Sequence, residues 1–230
     1  MGGECGFSFK AEVQHTVPIS RHGFKAIALT TVACAVIAGL TAPLFGWGGL
    51  LFMLGIVPVA AFFRDPERYA EDNRENAILA PADGRIVAVE EATMPVSGRK
   101  AMMVDIFLSV FNVHINRAPL DGTVSDIQYK KGKFLNALKY KAGSENENNV
   151  IALESPEGRH VEVKQISGAI ARRIVCSASS GDEVFAGQRI GMIKFGSRTQ
   201  LFVPADRNVS FCIKAGDKVK AGKTVLGYFE

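Results

Sequence analysis

The chain has 230 residues, a net charge of +4, 47% hydrophobic residues and four cysteines. That length suits one catalytic body with an appendage rather than two full domains. The mild positive charge is compatible with an anionic membrane surface, and the lack of a dense basic block with interleaved aromatics argues against a nucleic-acid binder. Cys5, Cys34, Cys176 and Cys212 are scattered, with no CxxC pair and no His at ligand spacing, so neither a disulfide framework nor a metal site is expected.

A polar segment, 1–25, carrying His15 and His22, comes first. From Ala26 to Phe63 there is no charged side chain. As one straight helix that run would be about 57 Å long, against a hydrocarbon core of about 30 Å. Pro43, Gly46, Gly48 and Gly49 divide it into two apolar segments, 26–44 and 49–63, joined by a tight turn carrying Trp47. A helical hairpin that spans or embeds in the membrane is the expectation. Its ends then lie on one side, and Arg21, Lys25, Arg64 and Arg68 make that side cytoplasmic, at the cell (inner) membrane. A cleaved signal peptide fits poorly, because the apolar stretch is long, starts late and follows Glu4 and Glu12.

After a polar linker, 64–76, the body at 77–230 reads as short strands punctuated by Gly, Pro and Asp. Such runs are Arg85–Glu90, Met102–Ile115, Val150–Leu153, Val161–Ile166, Ile170–Cys176, Ile190–Lys194, Gln200–Val203 and Asn208–Ile213. Only Phe134–Lys141 looks helical.

Two repeats organise this body. Gly181-Asp182-Glu183-Val184-Phe185-Ala186-Gly187 recurs as Gly216-Asp217-Lys218-Val219-Lys220-Ala221-Gly222, and Ala80-Pro81-Ala82-Asp83-Gly84 recurs as Ala118-Pro119-Leu120-Asp121-Gly122. The expected fold is mainly β (β-rich α+β), a pseudo-symmetric flattened barrel or sandwich. The G-D-x-V-x-A-G turn resembles that of biotinyl and lipoyl carrier domains. A membrane-tethered carrier is therefore an alternative function; it needs a modifiable Lys at a hairpin tip, and Lys194 is the nearest candidate.

Three places could carry chemistry. If Val110–Asn116 is a strand, Asn112, His114 and Asn116 share one face, which is costly unless those groups are hydrogen-bonded or used. Asp83 and Asp121 sit in Pro-x-Asp-Gly turns, where local backbone bonding is reason enough for Asp. At Gly196-Ser197, Gly leaves the preceding carbonyl unshielded, so the Ser hydroxyl could attack it in an N-to-O acyl shift. Gly-Ser alone carries little weight, since it recurs at Gly143-Ser144.

Phe195-Gly196-Ser197 with its flanking strands, Pro81-Ala82-Asp83-Gly84 and Val113-His114, in this order and spacing, resemble the phosphatidylserine decarboxylases in their compact form. The likeness covers residues 50–230. It implies a proenzyme in which Ser197 attacks Gly196, with His114 as general base and Asp83 orienting the imidazole. Cleavage would leave a β chain, 1–196, and an α chain, 197–230, headed by a pyruvoyl cofactor derived from Ser197 and held to the β chain by sheet pairing. The activity implied is conversion of phosphatidylserine, or a related serine lipid, to phosphatidylethanolamine and CO2 through a Schiff base with the substrate amine. The implied partners are a membrane phospholipid and the two chains of one precursor, and an exposed sheet edge is compatible with a homo-oligomer. Asn112 and Arg198 are the candidates for contacts with the substrate carboxylate and anionic head group.

Overall fold

The structure, a computed structural model, describes residues 19–72, 74–137, 141–169, 173–194, 196–205 and 208–230, apart from the side chains of 48–50. The expectations for residues 1–18, for Phe195 and for the start of the 170–176 run lie outside the described residues.

The apolar arm is a helical hairpin. Helix α1 (Phe24–Phe45) is long enough, at about 33 Å, to cross a bilayer. Gly46 ends it at φ 55°, a 3-10 segment follows over Gly46–Gly55, and α2 (Ile56–Phe62) returns. Arg21–Phe45 is the one stretch among the described residues with the length and hydropathy of a membrane span, and Leu51–Phe62 is a shorter apolar helix. Leu29, Leu40, Leu44 and Trp47 are exposed, so the arm is apolar on its outside. The two ends meet: Ile19 and Arg64 form a β-bridge, and Ser20 N–H donates to the Phe63 carbonyl at 2.8 Å. The polar linker is docked onto the body. Asp65 accepts from Arg117 and Arg189 at 3.3 and 2.7 Å, and Arg68 pairs with Asp83 at 3.0 Å.

Strands account for 40% of the residues and helices for 22%, so the body is mainly β, built on a curled half-barrel sheet. The strands are β1 (Ala77–Leu79), β2 (Gly84–Thr93), β3 (Lys100–Leu108), β4 (Ile115–Arg117), β5 (Gly122–Lys130), β6 (Asn148–Glu154), β7 (His160–Ile166), β8 (Ile174–Cys176), β9 (Glu183–Val184), β10 (Arg189–Ile193), β11 (Ser197–Pro204), β12 (Val209–Phe211), β13 (Lys218–Val219) and β14 (Val225–Phe229). The large sheet runs β13-β2-β3-β11-β7-β6-β5-β9, and two small sheets, β1-β14-β12 and β4-β10-β8, close around it. The core between them includes Ile78, Ile86, Ile106, Leu120, Ile151, Val163, Ile190, Leu201 and Leu226.

The repeats superpose in bonding pattern as well as in sequence. Gly84 pairs with Val219 and Gly122 with Val184. Asp83 Oδ1 accepts the Ala221 N–H at 2.8 Å, and Asp121 Oδ1 accepts the Ala186 N–H at 2.6 Å. Gly187 and Gly222, both at positive φ, face one another, and a Cβ on Gly222 would lie 3.0 Å from Gly187 Cα. Only glycine permits that approach in this conformation.

Two expectations are corrected. The run Met102–Ile115 is not one strand: β3 stops at Leu108, because the Asn112 Oδ1 accepts both the backbone N–H and the hydroxyl of Ser109, at 2.9 and 2.7 Å, and folds 109–112 into a turn. Asn112 therefore shares no strand face with His114 and Asn116. Nor is Phe134–Lys141 a helix over its described part, 134–137 and 141. The Asn146 side chain takes both backbone groups of Leu135, at 2.9 and 2.8 Å, and the short helix α3 forms later, at Ala142–Glu145.

Candidate active site

Ser197 opens β11, the strand flanked by β3 and β7 in the middle of the large sheet, and its backbone pairs with Leu108. It is fully buried, and its Oγ has no hydrogen-bond partner among the described residues. A buried hydroxyl without a partner is costly, by about 1–3 kcal/mol, and Ser167 Oγ shares that condition one strand away. Gly196 before it sits at φ 63°, in the left-handed region. Its carbonyl oxygen presses against Gly168, where any side chain would collide with it.

His114 lies against this peptide. The Gly196 N–H donates to His114 Nε2 at 3.3 Å, while Nδ1 contacts the Asn112 carbonyl oxygen at 2.9 Å. A carbonyl can only accept, so Nδ1 carries the proton and Nε2 presents a lone pair to the Gly196-Ser197 segment. Burial pushes the imidazole down from 6.5 to about 4, opposed by its bond to Asn112 and helped by the positive charge of Arg64. The ring is neutral at physiological pH, as a general base must be. Phe62, the last residue of α2, covers it with ring centroids 4.3 Å apart.

Asp83 makes no hydrogen bond to this histidine among the described residues. Its oxygens are taken by Ala221 N–H and Arg68, and the Asn112 carbonyl does the orienting instead. The reason is the repeat: Asp83 does for one motif copy what Asp121 does for the other. Arg198 is also placed otherwise than expected. It is 6% exposed and paired with Asp105 at 3.1 Å, on a face where Gln200 donates to the same carboxyl at 3.0 Å, so it is not an open head-group contact. Burial raises the Asp105 carboxyl, against the pull of Arg198 and Gln200. Asn112 is half-buried beside the site, with its Oδ1 engaged by Ser109. Lys194, the carrier candidate, is half-buried rather than at a free tip, donating to the His22 carbonyl at 3.3 Å and sitting 5.5 Å from the Phe63 ring centre.

Sequence reasoning missed Gly168, Phe62 and a buried amide chain behind β11, in which Asn149 donates to Gln165, Gln165 to Asn116, and Asn116 to Thr199, each at 2.9–3.0 Å. Asn116 was visible as a polar residue in an apolar run. The others carry no local signal, because their partners are distant in the chain.

Comparison with known proteins identifies the family. A family model described as phosphatidylserine decarboxylase matches residues 58–227. The chain is 42% identical over 213 residues to a phosphatidylserine decarboxylase proenzyme of Magnetococcus marinus, covering 91% of this chain and 94% of that one. It is 42% identical over 212 residues to a proenzyme of the same name from Burkholderia cenocepacia, covering 92% and 96%, and 40% identical over 214 residues to one from Wolbachia pipientis, covering 90% of each. A buried serine behind a left-handed glycine, a neutral histidine at the same peptide and similarity over nine-tenths of the length agree: the chain belongs to the phosphatidylserine decarboxylase family, and is a decarboxylase.

Proposed function

We propose that this chain is a precursor that breaks its own backbone between Gly196 and Ser197 to become a pyruvoyl-dependent phosphatidylserine decarboxylase. The observation that carries the reading is the buried Ser197 hydroxyl, without a partner among the described residues, next to a peptide whose Gly196 N–H already donates to Nε2 of a neutral His114. His114 takes the hydroxyl proton, Ser197 Oγ attacks the Gly196 carbonyl carbon, and the peptide C–N bond gives way to an ester. The left-handed Gly196 and the bare Gly168 leave that carbonyl open to approach. Loss of the Ser197 Cα proton then breaks the Cβ–O bond, with Gly196 leaving as a carboxylate. Water converts the dehydroalanine at 197 to the pyruvoyl group, releasing ammonia.

The surroundings of position 197 fit that group: it is buried, paired with the fully buried Leu108, and its hydroxyl is free of competing hydrogen bonds from the described residues. The pyruvoyl carbonyl supplies an electron sink for the bond to the departing carboxylate. His114, whose lone pair is held at this point, stores and returns the proton needed at the substrate carbon. Asn112, at the rim, donates through its amide group toward the substrate carboxylate. The products are phosphatidylethanolamine and CO2. Chains 1–196 and 197–230 remain one particle, since β11 is paired on both edges and β13 and β14 pair with β2 and β1. The hairpin holds this particle at the cytoplasmic face of the cell membrane, which is supported by its exposed apolar surface and by Arg21, Lys25, Arg64 and Arg68 at its ends.

Intact-mass analysis of active purified protein tests this. Two chains divided after Gly196 are expected, the smaller carrying a ketone that reacts with hydroxylamine, and Ser197→Ala stays whole and inactive. A single full-length chain from active material overturns the proposal.

A further inference from the structure

The turn at 109–112 carries two apolar side chains outward, Val110 at 41% and Phe111 at 83% exposure. An isolated exposed apolar residue needs no explanation. This pair differs in how it is held. Arg64, the first residue after the hairpin, donates to the Phe111 carbonyl at 2.6 Å and to the Ala61 carbonyl at 2.7 Å, so the turn is strapped to the end of the apolar arm. On its inner side, Asn112 closes the turn onto Ser109 and gives its carbonyl to His114. Val110 also approaches the cleavage site, its Cγ1 lying 4.0 Å from where a Cβ on Gly196 would be.

Cations gather at the same level. Lys194 packs against Phe63 and the His22 carbonyl, and Arg173 lies near enough to depress the Lys194 ammonium, whose shift comes first from burial. With Arg64, which holds the Phe111 carbonyl, these place positive charge at the point where the charge-free helices leave the body. Aromatic tips flanked by Lys and Arg suit the headgroup layer of a bilayer containing anionic lipid.

We infer that the 109–112 turn is a second membrane contact, with Phe111 and Val110 inserted at headgroup depth in an anionic bilayer and the turn setting the height of the His114–Ser197 cavity over its lipid substrate. This rests on the reading that the hairpin is the membrane anchor. Because the turn supplies both the inserted side chains and the carbonyl that holds His114, docking fixes where the already held imidazole stands relative to the bilayer.

Trp47 is the only tryptophan, so each contact can be followed separately in the full chain. The Phe111→Trp variant in a Trp47→Phe background is placed in vesicles of phosphatidylcholine and phosphatidylglycerol, with the unaltered chain in parallel. The expected result is a blue-shifted emission from the indole introduced at position 111, quenched by lipids brominated near the headgroup and shielded from iodide, with Trp47 of the unaltered chain quenched by deeply brominated lipid. If Trp47 is quenched by lipid while the indole at position 111 stays open to iodide, the anchor stands and the turn proposal falls. If neither is quenched and the protein fails to float with vesicles, both fall. If the position-111 indole is shielded without lipid, in a concentration-dependent way, its partner is a second copy of the chain and the proposal falls. As a functional readout, Phe111→Ser should raise the vesicle concentration for half-maximal decarboxylation about tenfold and leave the saturated rate unchanged; an unchanged half-maximal concentration counts against insertion.

Discussion

The Phe62 ring and the His114 imidazole lie 4.3 Å apart, centre to centre, with their planes 35° from parallel. The last residue of α2 thus roofs the imidazole proposed to act on position 197. Phe63 beside it is also buried, so the arm is packed into the site as well as joined to the body. An aromatic roof displaces water from the imidazole, and desolvation is the main reason the ring resists protonation.

Phe62→Leu should therefore move the acid limb of self-cleavage. With the roof thinned, the His114 pKa rises from about 4 toward 6.5, so the pH at which cleavage falls to half its plateau moves up while the plateau changes little. Following cleavage of freshly translated chain across pH reads this directly. An unmoved acid limb would mean that the stack matters only for packing. Phe62→Ala would also leave a cavity costing about 3–5 kcal/mol, which makes Leu the cleaner probe.

The same histidine gives stability a pH dependence. Below 6.5 the unfolded chain takes up a proton at His114, while the folded chain does so only near 4. Folding stability contributed by this group is therefore complete above 6.5 and lost as pH falls toward 4, on the order of 3 kcal/mol in all. His114→Gln should flatten the pH dependence of the unfolding midpoint over that window and slow cleavage on the order of 10²–10⁴-fold. An equal slope in the variant and the parent would refute the assignment.

Gly168→Ala should stall the precursor. Its added methyl meets the Gly196 carbonyl oxygen, which must either turn away from the Ser197 hydroxyl or force the 167–169 segment outward. The expected outcome is accumulation of uncleaved chain, at least about tenfold slower in processing for a barrier increase of about 1.4 kcal/mol. The unfolding midpoint, measured on the same sample in a Ser197→Ala background, separates lost chemistry from lost fold. Processing at the parent rate would show that the carbonyl can move freely.

Asp83 and Asp121 occupy equivalent turns, yet their substitution should cost different amounts. Asp83→Ala strands a half-buried Arg68 and frees the Ala221 N–H, a loss of about 2–3 kcal/mol, whereas Asp121→Ala at an exposed turn should cost about 1 kcal/mol. Denaturant midpoints of the two variants decide it. Equal losses would contradict the ion pair's role.

After cleavage, residues 197–230 should co-elute with 1–196 in native gel filtration and separate only in denaturant. Ser197–Pro204 pairs with β3 along its whole length and with β7 over Arg198–Phe202. Dissociation in buffer would show that the central strand is held more weakly than its pairing implies.

Hydropathy, turn chemistry and repetition are local properties, and they made much of the protein legible. The charge-free run from Ala26 to Phe63, broken at Pro43 and Gly46, states a hairpin; the repeated Asp-Gly and Gly-Asp motifs state an internal symmetry; and Gly196-Ser197 with Val113-His114 carries the family resemblance and the proposed reacting groups. What the tertiary structure alone decided is pairing. A buried donor or acceptor takes whichever partner the fold brings within about 3 Å. So Asp83 went to Ala221 and Arg68, Arg198 went to Asp105, and His114 was left to the Asn112 carbonyl and to Phe62 from the far side of the linker.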